Sequence, residues 1–154
     1  MSPATREALR DERGTITLYL LGLVVLAVTL VAGVTAVTAA HLARIRLLDV
    51  ADGAALAAAG GLDDSAYTAG VGEAVPLSEE AVARRAADYV AGHERPANVL
   101  GWQLGPGTGT PDGHTAVVDL TGEARLPLVG GLLRDLGVRV SIHVTSRARA
   151  DVGP

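Results

Sequence analysis

The sequence contains no cysteine, no phenylalanine and no lysine. Without cysteine, disulfide frameworks, thiol nucleophiles and cysteine zinc sites are excluded, while the redox compartment stays open because cysteine-free domains also occur in oxidising surroundings. The aromatic side chains are Trp102, Tyr19, Tyr67 and Tyr89. A core therefore has to be assembled from Val, Leu, Ile and Ala, which bury less area per residue and imply modest stability. All 13 basic residues are arginine and 17 acids oppose them, for a formal net charge of -4. There is neither the basic surplus of a nucleic-acid binder nor a long acidic tail, so no nucleic-acid partner is expected.

Recognisable site chemistry is equally sparse. His41, His93, His114 and His143 form no i, i+4 pair and no HExxH motif, so no metal site is expected. No Gly-x-Ser-x-Gly elbow occurs, and the acid pairs Asp63-Asp64 and Glu79-Glu80 fall in a loop and in a first helical turn, where solvation and the helix dipole account for them. The stretch GPGTGTPDG at 105–113 exposes backbone N–H groups, yet it lacks the Gly-Lys-Ser/Thr ending and leads into a strand, which predicts a flexible hairpin loop. The reading is a non-enzyme with no catalytic residue and no cofactor.

What the sequence does contain is one long apolar block. After a polar leader at 1–13, in which three arginines face three acids, residues 14–43 carry no full charge. The 26 residues from Thr15 to Ala40 exceed the roughly 20 needed to cross a bilayer core of about 30 Å, which predicts a single transmembrane helix over 14–41. A cleaved signal peptide is the competing reading, but its apolar core runs to only about 7 to 15 residues. Arg6, Arg10 and Arg13 before the span outnumber Arg44 and Arg46 after it, which places the leader in the cytoplasm and the rest outside.

Residues 42–60 then read LARIRLLDVADGAALAAAG. Leu48, Ala51, Ala55, Ala58 and Leu62 recur at steps of 3, 4, 3 and 4, the spacing of one helical face, and alanine is the strongest helix former. The span should continue as a juxtamembrane Ala-rich helix to about Ala59 and stop at Gly60-Gly61, where glycine takes a left-handed cap without steric cost. Its small-residue face permits close approach of another helix or a sheet. Arg44 and Arg46 reach toward headgroups, and Arg46 and Asp49 are i, i+3 neighbours able to pair, with Asp52 one turn beyond Asp49. The candidate packing and interaction residues are Arg44, Leu48, Asp49, Ala51, Asp52, Ala55 and Ala58.

The order Glu12-Arg13-Gly14, apolar helix, then Arg44-Ile-Arg-Leu-Leu-Asp-Val-Ala-Asp-Gly-Ala-Ala-Leu-Ala-Ala-Ala resembles the N-terminal region of TadG-like and TadE-like proteins of the tight-adherence (Flp) pilus machinery. The resemblance covers about 12–60. Later segments, Leu62-Asp63, Tyr67 and Pro76-Leu-Ser-Glu-Glu80, resemble actinobacterial members. Tyr19 stands where TadE-like pseudopilins carry a glutamate five residues after the glycine, so the likeness is nearer the TadG-like branch, which generally remains anchored. The resemblance implies a membrane-anchored assembly component that works with other pilus-assembly or secretion-system proteins and could self-associate through its N-terminal helix. A membrane-tethered sensory or ligand-binding module is the alternative.

Residues 61–154 should form an extracytoplasmic α+β domain. Asp63 to Leu77, with Gly70, Gly72 and Pro76, reads as a loop, and Ser78 as the N-cap of a helix that turns Val82, Ala86, Tyr89 and Val90 inward and ends at Gly92 and Pro96. A short strand follows around Trp102. Ala116, Val118, Leu120, Gly122, Ala124 and Leu126 alternate with polar residues, as do Val138, Val140, Ile142, Val144, Ala148 and Ala150. Period two over such lengths predicts two long strands with the even-numbered side chains buried, joined through a helical turn around Leu132 and Leu133. Acids on the first strand and arginines on the second suit antiparallel cross-strand pairing.

Overall fold

The computed structural model of the chain describes residues 3–60 and 77–149. Gly61, Leu62, the loop through Pro76 and Ala150 lie outside the described residues. The architecture is α+β: α1 spans Pro3–Ala59, α2 Glu79–Gly92, β1 Val99–Leu104, β2 Thr115–Ala124, α3 Gly130–Asp135 and β3 Ser141–Arg149. The strands form one antiparallel sheet in the order β1-β2-β3.

The first helix is a single element of 57 residues, about 85 Å long at 1.5 Å per residue. It begins inside the polar leader and absorbs the apolar block and the alanine run without a break. Among the described residues it is the one helix long and apolar enough to cross a membrane, and its most apolar 18-residue window is not buried at all. The hydroxyls of Thr29, Thr35 and Thr38 donate to the carbonyls of Val25, Val31 and Val34 at 2.7–2.9 Å, so these polar groups are satisfied within the helix. The helix ends at Ala59 with Gly60 N–H on Leu56 O, and Gly60 does not adopt the left-handed conformation.

The last turns of α1, from Ala43 to Ala59, are part of the domain core. Ala43, Leu47, Val50, Ala51, Ala54, Ala55, Ala58 and Ala59 are buried against α2 and the inner face of the sheet. The sheet contributes Val99, Ala116, Val118, Leu120, Ala124, Ile142, Val144 and Ala148, and α2 contributes Val82, Ala86 and Val90. Alanine on the helix and Gly122 on β2 let the two backbones approach closely; a Cβ at Gly122 would meet Leu47 Cδ2 at 3.1 Å and Val99 Cγ1 at 3.2 Å. On α2, Tyr89 fills the notch over Gly53 and stacks on His93 with ring centroids 5.0 Å apart. Ser78 caps α2 by accepting from Ala81 N–H at 3.2 Å.

Alternation sets the faces of both long strands as expected: even-numbered positions 116–124 and 142–148 are buried, Ser146 among them. The second long strand is shorter than its pattern, because Val138 belongs to the turn after α3 and is exposed, while Val140 packs against the core just before β3 begins. The acid–arginine pairing does not form. Register sets Arg147 opposite Val117, Arg149 opposite Thr115, Asp119 opposite Thr145 and Glu123 opposite Ser141, so each acid faces a hydroxyl.

The glycine-rich connection is tied down at several points. Gly105 N–H donates to Asp119 O, Gly109 exchanges both backbone bonds with Val117, and Gly113 O accepts from Leu77 N–H. Asp112 closes the turn into β2 by accepting from the amides of His114 and Thr115 and the hydroxyl of Thr115. These bonds, led by the His114 amide, hold the Asp112 carboxyl at about 2, below the ordinary aspartate range.

Two predictions follow from this packing. Gly122→Val should destabilise the domain by about 1–3 kcal/mol in chemical denaturation, because the added methyls press on Leu47 and Val99 at once, whereas Thr145→Val on the exposed face should change it far less. The Asp112 carboxyl should titrate near 2 by carbon NMR. Since its folded pKa lies below the unfolded one, its stabilisation is complete above about pH 4 and disappears as pH falls through about 2, and the stability difference from Asp112→Ala should vanish over the same interval.

Candidate functional site

The segment 42–60 presents two faces. Ala51, Ala55 and Ala58 lie on the buried side against the chain's own sheet and α2, together with Leu47 and Ala54. Arg44, Leu48, Asp49 and Asp52 lie on the exposed side. The burial stripe thus starts from Ala43 and Leu47, one residue out of phase with Leu48. Along the exposed side Leu42, Ile45, Asp49, Asp52 and Leu56 recur at steps of 3, 4, 3 and 4, a surface that is apolar at both ends and acidic in the middle. It continues the exposed apolar surface that runs from Ile16 to Val37.

The arginines behave differently from the expected helix-surface pair. Arg46 turns away from Asp49 and donates from Nη1 to Asn98 Oδ1 at 3.3 Å, which ties α1 to the loop that opens β1. In the same loop Arg95 donates to Leu100 O at 2.8 Å. Sequence spacing alone could not find the Asn98 contact, because it joins residues 52 positions apart.

On the open face of the sheet, the Asp119 carboxylate meets the His143 imidazole, Oδ1 to Nε2 at 3.1 Å. The histidine is 61% exposed and the carboxylate only 10%. His143 Nδ1 lies 3.2 Å from Thr121 Oγ1, its cross-strand partner, so the imidazole bridges two residues of β2. The other flank of Asp119 is covered by the glycine-rich loop: its carboxylate would collide with a Cβ at Gly105, and Thr108 bonds the Asp119 backbone in both directions at 3.1 and 3.2 Å. Asp119 Oδ1 is buried, and its contact with the imidazole is the polar interaction that holds it.

The order carboxylate, imidazole, hydroxyl resembles a catalytic relay in outline only. Thr121 lies in the middle of a regular strand, away from the sharp strand-to-helix turn that exposes a hydrolase nucleophile. The cluster joins β2 to β3 and pins the loop over β2. Beside it, Gly101, Gln103, Thr121, Glu123, Arg139 and Ser141 line a shallow open depression. Among the described residues no group of three metal-ligating side chains converges.

Comparison with known proteins bears on one part of the chain. No curated protein and no solved structure matches it. The family described as "Putative Flp pilus-assembly TadE/G-like" matches residues 14–61, the stretch that comprises the apolar block, the docked alanine stripe and the end of α1, and the match stops short of the segments that carry the actinobacterial resemblance.

Proposed function

We propose that this chain is a membrane-anchored structural component of a tight-adherence pilus or a related secretion system, with residues 14–41 crossing the bilayer, 42–60 as the juxtamembrane helix and 61–154 as an extracytoplasmic domain. The observation that carries the reading is the coincidence of the family match at 14–61 with a helix whose large apolar side chains from Ile16 to Val37 are exposed and whose alanine part is docked. An apolar surface of that length has no role in water and an ordinary one in lipid. The exposed side of 42–60 is the natural contact for other assembly proteins or a second copy of the chain, since the opposite side is already filled. The alternative, a tethered sensory or ligand-binding module, draws on the shallow depression over Gln103 and Thr121.

The anchor is expected to keep the protein with membranes through alkaline carbonate washing; release into the wash would remove the reading. Because the chain has no cysteine, Thr145→Cys should react with a membrane-impermeant maleimide in intact cells, while Ser2→Cys should react only after lysis. A photocrosslinker at exposed Leu56 should capture another pilus-assembly or secretion subunit, or a second copy, whereas one at buried Ala55 should link only within the chain. Equal capture at both positions would show that the exposed side is not the contact.

A further inference from the structure

We infer that the connection between β2 and β3 is a second, interfacial membrane contact, in which Leu128, Leu132 and Leu136 enter the headgroup region of the bilayer that α1 crosses. This rests on the anchored reading and adds a contact to it.

The position of this connection follows from the fold. Arg46 is bonded to Asn98 and Gly122 rests over Leu47, so the end of the sheet where β1 begins and β2 finishes lies at the apolar end of the docked part of α1. The opposite end, with the glycine-rich loop near Glu79 of α2, is the far end. Leu126 is four residues past Gly122, at most about 13 Å at 3.3 Å per strand residue, which equals roughly nine residues of helical rise. The connection therefore hangs below the level of Leu47 and no lower than about residue 38 of α1, the stretch in which the uncharged run ends. Ala43 is completely buried, so the domain reaches at least that far down.

The surface presented there is apolar and edged with positive charge. Leu128, Leu132 and Leu136 are 76%, 65% and 69% exposed, and Val138 is 47% exposed. Leu132 and Leu136 lie one helical turn apart on α3 and its C-cap, and Leu128 is exposed in the turn before α3, while Leu126 and Leu133 are turned toward the domain. Leu128 has φ 66, a backbone conformation that leucine rarely adopts. Arg125, Arg134 and Arg139 are exposed around this surface, against the acids Asp135 and Glu123. Leucine amid arginine is the composition of a segment that lies in the plane of an anionic bilayer. Continuity with the exposed apolar part of α1, which begins at the same level, commits the occupant to lipid instead of protein.

The test uses the full chain in phosphatidylcholine–phosphatidylglycerol vesicles with an environment-sensitive fluorophore on Leu132→Cys, on Val25→Cys as the span reference and on Thr145→Cys as the aqueous reference. The fluorophore at 132 should be quenched by lipids spin-labelled near the headgroup and the one at 25 by lipids spin-labelled deep in the acyl chain, and iodide should quench roughly fivefold less at 132 than at 145. Leu136→Cys should behave the same way, which guards against a local effect of one substitution. Iodide quenching at 132 equal to that at 145, with lipid quenching retained at 25, would overturn the interfacial contact and leave the anchor standing. Shielding from iodide without lipid quenching would also overturn it, in favour of a protein partner. Loss of lipid quenching at 25 would overturn the anchor and this contact together.

Discussion

Among the described residues, eight of the twenty buried hydrophobic ones belong to α1, and six of those eight are alanine. A helix with alanine on its buried side lies close to whatever it packs against, and here that partner is the inner face of a sheet with glycine at the point of contact. Take the helix away and Val118, Leu120, Ile142 and Val144 lose the surface that covers them. The small strands and the short α2 stripe could not enclose a core by themselves, as expected for so small a unit without large aromatics. The same residues that look like a bare helix-forming tract are thus the floor of the domain.

The two faces of the sheet divide the work. The inner face excludes water and joins the domain to α1. The outer face is polar, and its one tight cluster, Asp119 with His143 and Thr121, fastens the edge strand β3 to the central β2 while the glycine-rich loop folds over the carboxylate. Glycine at 105 is required by that approach: any side chain would occupy the space of the carboxylate. The loop that invites a phosphate-binding reading in the sequence is consumed in bonds to β2 and to Leu77.

Much of the fold is legible in the sequence because its signals are periodic. The even-numbered faces of β2 and β3, the Ser78 cap and the run to Ala59 each follow from a local rule that tertiary packing does not override. The phase of the alanine stripe is less legible: where nearly every side chain is alanine, hydrophobic contrast around the helix is small, and Leu47 and Leu48 are equally plausible leads. Only the position of the sheet decides that Leu47 is covered and Leu48 exposed. Cross-strand partners are also hidden, since composition shows that acids and arginines occupy facing strands but register decides which residues meet. That is why an expected acid–arginine ladder is replaced by one acid–histidine contact. The contact of Arg46 with Asn98 lies beyond any local window.

The continuity of α1 carries a mechanical consequence. Between Pro3 and Ala59 there is no proline, no kink is introduced by a turn, and the domain grips the final turns, from Ala43 to Ala59, without an intervening linker. In the anchored arrangement proposed above, the orientation of the span is transmitted to the domain as it would be along a rigid shaft. There, rotation about the helix axis swings the sheet around the bilayer normal, and a lean of about 20°, ordinary for such helices, displaces Ala59 sideways by about 16 Å relative to Val28. Neighbours gripping the helix within lipid would then set where the domain points, and a pull on the domain would be felt along the helix.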